Sequence, residues 1–310
     1  MQKIVILRAL KLGDMICSIP ALRAVRLRYP NAEISLVSLP SMENLFLRFT
    51  HLIDEFIPFS GFPGMPELAT SPEKVVAFLA QIQQRKFDLA IQLHGSGEVS
   101  NIVTQLFGAK RTIGYHLAKD TDDYLQYRGE LHELERCLSL LKLLGIESPS
   151  RDLEFPLLDE DHKVLQNLNL PSSYICIHPG ASTESKRWDR DLFCRLADEI
   201  ALKGTSVVFT GSEVEGPLVK DIISKMKSHA FDVASLNLPI GPLSALIHHS
   251  EALICNDTGV SHISAALKKR SVVIFTETNP DRWAPLNKSL HRALVRPDLE
   301  DVLEVIGEVL

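Results

Sequence analysis

The sequence predicts an α/β fold, built as two doubly wound halves with helices packed on parallel sheets. Three observations carry that reading. Short apolar runs recur along the chain, each followed by a helix-period segment, as βαβ units require. Those runs are continuous rather than alternating, which fits strands covered on both faces. The 310 residues exceed one typical core and suit two domains of roughly 150 residues each.

Lys3-Ile4-Val5-Ile6-Leu7-Arg8 reads as the first strand. A loop over 9–15, centred on Gly13 and Asp14, leads to a helix over 16–29, where Ile19, Leu22, Val25 and Arg26 repeat at three and four. Pro20 fits that helix's first turn, where its missing N–H costs nothing. Strands follow at 33–39, 53–57, 88–93 and 111–114, with helices at 42–49, 72–85, 97–107 and 132–144. From Glu147 to Leu170 the pattern weakens into prolines and an acidic run at 159–161, so the domains divide there as 1–160 and 161–310.

The second half repeats the scheme. Strands are expected at 174–178, 205–210, 252–255 and 271–276, with a weaker one at 231–236. Helices fall at 190–202, 215–227, 242–249 and 259–267. A last helix over 298–310 is open to packing on either half. Two such halves facing each other leave an interdomain cleft lined by loops at the carboxyl ends of strands, where these sheets bind ligands.

Bulk properties narrow the function. Hydrophobic content of 45% describes a soluble globular chain. A net charge of −6 argues against non-specific nucleic-acid binding, which rests on clustered positive charge. No run reaches the roughly 18–20 apolar residues that span a bilayer, and the chain enters a strand at once, without a secretory signal. The five cysteines lack CxxC spacing and sit mostly in apolar stretches, as buried free thiols of a reducing compartment do. The expected location is the cytoplasm.

Three polar loops leave strand ends in the second half. His178-Pro179-Gly180-Ala181-Ser182-Thr183-Glu184-Ser185-Lys186 offers a glycine turn, the hydroxyls of Ser182 and Thr183, and the Lys186 cation, the inventory a pyrophosphate needs. In Thr210-Gly211-Ser212-Glu213-Val214-Glu215 a carboxylate can accept from ribose hydroxyls. Cys255-Asn256-Asp257-Thr258-Gly259-Val260-Ser261-His262 reads as strand, tight turn and helix start. Thr258 or Asp257 is its natural N-cap, Gly259 allows close approach to the backbone, and His262 falls in the first turn of a helix end suited to an anion. In the first half, Asp14 is either a helix cap or a ligand-facing carboxylate, and His94 and Gly95 end a strand with a choice between packing and ligand contact. No GxGxxG or GxxxxGK[ST] follows a strand, so dinucleotide and P-loop chemistry lose their support. No His/Cys/carboxylate set has metal-ligand spacing, and the acidic 120–123 segment reads as a solvated loop.

With these motifs in hand the chain resembles the heptosyltransferases, glycosyltransferase family 9, over most of its length. The matching stretches are Ile4-Val5-Ile6-Leu7, Leu12-Gly13-Asp14, Ile19-Pro20-Ala21-Leu22, Leu93-His94-Gly95-Ser96, Gly108-Ala109-Lys110-Arg111 and His132-Glu133-Leu134-Glu135-Arg136. They continue with His178-Pro179-Gly180-Ala181-Ser182, Lys186-Arg187-Trp188, Asn256-Asp257-Thr258-Gly259 and Arg282-Trp283-Ala284-Pro285-Leu286. The resemblance implies the GT-B architecture of two facing Rossmann-like domains, the first for the acceptor and the second for the donor. It implies metal-independent, inverting transfer of a sugar, usually heptose from ADP-heptose, to lipopolysaccharide core, with no cofactor. By position, Asp14 matches the family's base and Lys186 the diphosphate contact. Glu215 matches the ribose-binding carboxylate, with Glu213 as the alternative register, and Asp257, Thr258, Gly259 and His262 match the donor-binding turn. Gly13, His94 and Gly95 fall on the acceptor side.

One departure bears on the acceptor. Residues 59–67, Phe59-Ser60-Gly61-Phe62-Pro63-Gly64-Met65-Pro66-Glu67, carry no cation, where an acidic inner-core sugar would draw one, so a less acidic glycan is the alternative. The expected partners are a nucleotide-sugar donor, a glycolipid or glycan acceptor and the inner face of the plasma membrane, with no nucleic acid. Two rival functions stand beside transfer: epimerisation or hydrolysis of a nucleotide sugar on the same architecture, and non-catalytic sensing of one.

Overall fold

The central strands form where short apolar runs stand, and the strands assemble into two sheets, one in each of two units. The computed structural model describes residues 2–309; one unit reaches to Asp152 and the other begins at Leu153. The first unit contains β1 (Lys3–Leu7), α1 (Leu12–Arg28), β2 (Glu33–Ser38), α2 (Glu43–Phe46), β3 (Glu55–Pro58) and α3 (Pro72–Gln83). It continues with β4 (Leu89–Gln92), α4 (Ser100–Gln105), β5 (Arg111–His116), β6 (Tyr124–Gln126) and α5 (Glu133–Leu140). The second unit opens with α6 (Asp159–Gln166), β7 (Tyr174–His178), α7 (Arg190–Leu202), β8 (Ser206–Phe209), α8 (Gly216–Lys225), β9 (Phe231–Asp232) and α9 (Ile240–His249). It closes with β10 (Leu253–Asn256), α10 (Gly259–Ala266), β11 (Ser271–Phe275), α11 (Pro280–Trp283), β12 (His291–Val295) and α12 (Leu299–Val309).

The sheets run β3-β2-β1-β4-β5-β6 and β12-β11-β10-β7-β8-β9, parallel throughout. Counted within its own unit, the second order is the first read backwards, so both follow the doubly wound 3-2-1-4-5-6 pattern. In each sheet the first and fourth strands lie side by side where the winding reverses. Loops at the carboxyl ends of those strands open a crevice, the place where such sheets take ligands. The strands in question are β1 and β4, and β7 and β10.

Burial anchors both pairs. Val5 and Leu7 sit in a core with Phe59, Phe78 and Phe107, while Ile175, Ile177 and Ile254 join Phe193 and Phe209 in the other. Leu299, Val302 and Ile306 of α12 belong to that second core, so the last helix packs on its own unit.

The differences from expectation have physical reasons. α1 starts at Leu12, not at 16, because Gly13 and Asp14 join the helix behind Lys11, whose side chain makes no capping bond. α6 was expected as linker: its acidic first turn hid a helix that packs on α9 and has Leu165 buried. β6 and β12 are edge strands with partly exposed residues, and neither has the apolar run of a central strand. The 120–123 segment is a turn ahead of β6, with Asp120 accepting from Gln126 N and Asp123 paired to Arg111.

Candidate active site

The first switch point is organised by one buried cation. β1 ends at Leu7 and delivers Arg8 into the crevice with no exposed surface. Its Nε and Nη2 donate to Asp14 O at 2.9 and 2.6 Å, and Nη1 donates to Leu93 O beyond β4. Nη2 also donates to Glu133 Oε1 at 2.9 Å, and Arg136 takes the other Glu133 oxygen. Arg136 lies against the Tyr127 ring, 4.6 Å from its centroid, and its carbonyl accepts from Tyr115 OH. Burial pushes the Glu133 carboxyl pKa up, but the two guanidinium groups outweigh it and bring it to about 2. An ionised carboxylate thus bridges two arginines, and Arg8 fixes the backbone of Asp14 from behind. Asp14 occupies the third position of α1, inside the first turn, so the capping role open to it in the sequence is not the one it has.

His94 joins the same frame. Its Nδ1 accepts from Ala9 N at 3.2 Å, which leaves the proton on Nε2, 3.2 Å from Glu67 Oε1. Burial, helped by Arg8 and opposed by Glu67, takes its pKa down to about 4. His94 is therefore a neutral tie between the loops after β1, β3 and β4. Gly95 beyond it takes a left-handed backbone, φ 64°, with open space where a Cβ would stand.

In the second unit an amide takes the place of the buried cation. Asn256, the fully buried end of β10, donates to Pro179 O at 2.8 Å and Gly180 O at 3.3 Å, and accepts from Trp188 N at 2.9 Å. It clamps both ends of the 179–188 loop. Within that loop Lys186 Nζ reaches Asp257 Oδ2 at 3.2 Å, where Thr278 Oγ1 also donates at 2.6 Å. Ser185 donates to Glu277, and Thr276 donates to Ser185 O at 2.7 Å. The loop after β11 therefore completes the site, a contribution the sequence left unmarked.

Thr258 does stand at the N-cap of α10, but its hydroxyl makes no capping bond, and the Asp257 carboxylate is engaged by Lys186 and Thr278 instead. Gly259 is the first helical residue, so α10 points its positive end beside the Lys186–Asp257 pair. His262, buried in the first turn, sets its ring edge against Trp283, centroids 6.3 Å apart. Ser182 and Thr183 are exposed; Thr183 meets Ser185 at 3.2 Å. Glu215 folds back over Gly180 and beside His178 rather than towards Lys186. Among the described residues, no three His, Cys, Asp or Glu side chains group closely enough to hold a metal ion.

Each unit thus carries a 3-2-1-4-5-6 sheet with polar loops at its switch point. One of those points joins a lysine and a carboxylate at a helix N-terminus. Two parallel sheets of this order, one in each unit, are the Rossmann-like domains of the GT-B architecture.

Comparison with known proteins narrows this further. Residues 75–300 match the family model of glycosyltransferase family 9 (heptosyltransferase). The chain belongs to glycosyltransferase family 9 and is an enzyme of that class. It is 23% identical to lipopolysaccharide heptosyltransferase 3 of Escherichia coli K12 over 90% of this chain and 83% of that one. It is 25% identical to lipooligosaccharide heptosyltransferase 2 of Campylobacter jejuni, covering 90% and 84%. The solved structure of the Escherichia coli ADP-heptose lipopolysaccharide heptosyltransferase II superposes with a TM-score of 0.81 at 20% identity, covering 100% of this chain and 98% of that one.

Proposed function

We propose that the protein transfers heptose, with inversion and without a catalytic metal, from ADP-heptose to a lipopolysaccharide or related surface-glycan acceptor. The observation that carries the reading is the Lys186–Asp257 pair at the start of α10, at a switch point where such sheets bind nucleotides. In this reading Lys186 and the first amides of α10 compensate the charge that grows on the departing diphosphate. Asp257 and Glu215 take sugar hydroxyls of the donor, with Ser182, Thr183, Thr258, Gly259 and His262 around them. Asp14 takes the proton of the acceptor hydroxyl as that oxygen attacks the anomeric carbon, and Gly13, His94 and Gly95 shape the acceptor side. The cation-free 59–67 loop, whose Glu67 turns to His94, favours an acceptor less acidic than an inner-core sugar. No helix among the described residues is long and apolar enough to cross a membrane, and the enzyme reaches a membrane-borne acceptor from the cytoplasm in this scheme.

A metal-free thermal-shift panel of ADP, GDP, UDP and ADP-heptose tests the donor assignment. A ligand at a hundred times its dissociation constant adds roughly 2.7 kcal/mol. Selective stabilisation by ADP and ADP-heptose is the expected result, and silence towards every diphosphate would remove the donor site. For the base, Asp14→Asn is expected to lower turnover at least about a hundredfold with donor affinity nearly intact. Near-normal turnover in that variant would exclude Asp14 from proton transfer.

A further inference from the structure

Glu215 closes a capping box with Ser212 at the turn that leads into α8. Ser212 donates to Oε2 from both its amide and its hydroxyl, each at 2.8 Å. His178 Nε2 faces the same oxygen at 3.6 Å. Among the described residues, Oε1 takes no hydrogen bond. It lies over Gly180, where a Cβ would stand only 1.8 Å away. Any side chain at position 180 would therefore drive Glu215 out of this pose.

The other ring nitrogen decides which proton His178 carries. Nδ1 lies 3.0 Å from Thr210 Oγ1. The Thr210 hydroxyl has one proton to give, and its other acceptor, Ile177 O, is further off at 3.4 Å. The shorter contact, and the carboxylate on the far side of the ring, both select the form in which Nδ1 accepts and Nε2–H points at Glu215. His178 and Thr210 are buried, whereas Ser212 is exposed, so Oε2 is bonded by Ser212 on its outer side and faced by the His178 ring on its inner one. Burial draws the His178 pKa down against the pull of Glu215, which favours the neutral ring.

We propose that His178, keyed by Thr210, is a positioning residue: it holds Glu215 Oε2 so that Oε1 is presented above Gly180 to a ribose hydroxyl of a nucleoside diphosphate. The proposal rests on the donor-site reading above. Without the Thr210 hydroxyl the buried Nδ1 loses its partner, and the ring is no longer anchored in the orientation that points Nε2–H at Glu215. Contacts of this kind are often long before the ligand arrives and tighten when it binds.

The test is metal-free calorimetry of the full chain with ADP, 2′-deoxy-ADP, 3′-deoxy-ADP and inorganic pyrophosphate. The wild type is expected to bind ADP about ten-fold or more tightly than at least one deoxy analogue, as losing a hydrogen bond to a charged group implies. Thr210→Val should bring that ratio close to one while pyrophosphate affinity holds, a split that general damage to the fold would not produce. Thr210→Ser should restore the ratio. His178→Gln, whose amide can mimic the Nε2 donor, should retain it, whereas His178→Leu should lose it. An unchanged ratio in Thr210→Val and His178→Leu would overturn the positioning role. So would a wild type that binds ADP without preferring it over either analogue. Failure of the wild type to bind ADP at all would instead strike the donor-site reading, and this proposal with it.

Discussion

At the first switch point the cation is Arg8, fully buried and met by a carboxylate and two carbonyls. At the second it is Lys186, whose side chain is 24% exposed and met by one carboxylate. The strand order around them is the same. Arg8 has satisfied its donors inside the protein, so it can only brace, and what it braces is the backbone of Asp14. Lys186 keeps a flexible stem and open surface, so an anion can claim it. One topology thus serves two tasks: the first crevice fixes a group in place, and the second leaves charge available.

That contrast breaks hardest at Glu133. Glu133→Ala leaves Arg8 and Arg136 as buried charges without their shared partner, and a loss of about 3–5 kcal/mol is expected in denaturant unfolding. A loss below about 1 kcal/mol would show that the frame behind Asp14 does not depend on the pair. The same residue sets an acid limb. Its pKa is about 2 in the folded chain against an ordinary 4.5, so its contribution is whole above 4.5 and disappears as pH falls towards 2. Glu133→Gln should flatten the fall in stability across that window.

Asn256→Ala is the counterpart in the second unit and should cost about 2–3 kcal/mol, since a buried clamp on both ends of one loop is removed. If Asn256→Ala unfolds like the wild type, the 179–188 loop is held by something else. Lys186→Ala sharpens the comparison from the other side. Lys186 is partly exposed but Asp257 is buried, so removing the cation leaves that carboxylate to Thr278 and should cost about 1–2 kcal/mol. ADP affinity should also fall about ten-fold, as loss of a charge-assisted contact predicts. Unchanged affinity by calorimetry would remove Lys186 from the diphosphate site.

The central strands were legible because burial on both faces writes itself as an apolar run: Ile4 to Leu7 and Tyr174 to His178 are buried throughout. The amphipathic period over Arg190–Leu202 was equally plain. The edge strands β6 and β12 and the polar helix α6 were not, since partly exposed residues such as Arg292 in β12 leave no such run. Of the site, Lys186, Asp257 and Glu215 were visible as chemistry in loops. Arg8, Glu133, Thr210 and Thr278 gained no role from the sequence because each is defined by a partner, and Arg8 finds Glu133 across 125 positions. An arginine closing an apolar run was the only local sign, and it pointed to a strand end before it pointed to a site.

All five cysteines are free and buried. Burial pushes the thiols of Cys137 and Cys176 up to about 11 and 12, and those of Cys17, Cys194 and Cys255 upward as well. The native chain therefore offers a thiol reagent almost nothing at neutral pH, and labelling becomes a clock for opening. Cys17 and Cys137 lie in the first unit and Cys176, Cys194 and Cys255 in the second, so the order in which peptides acquire label reports which crevice comes apart first.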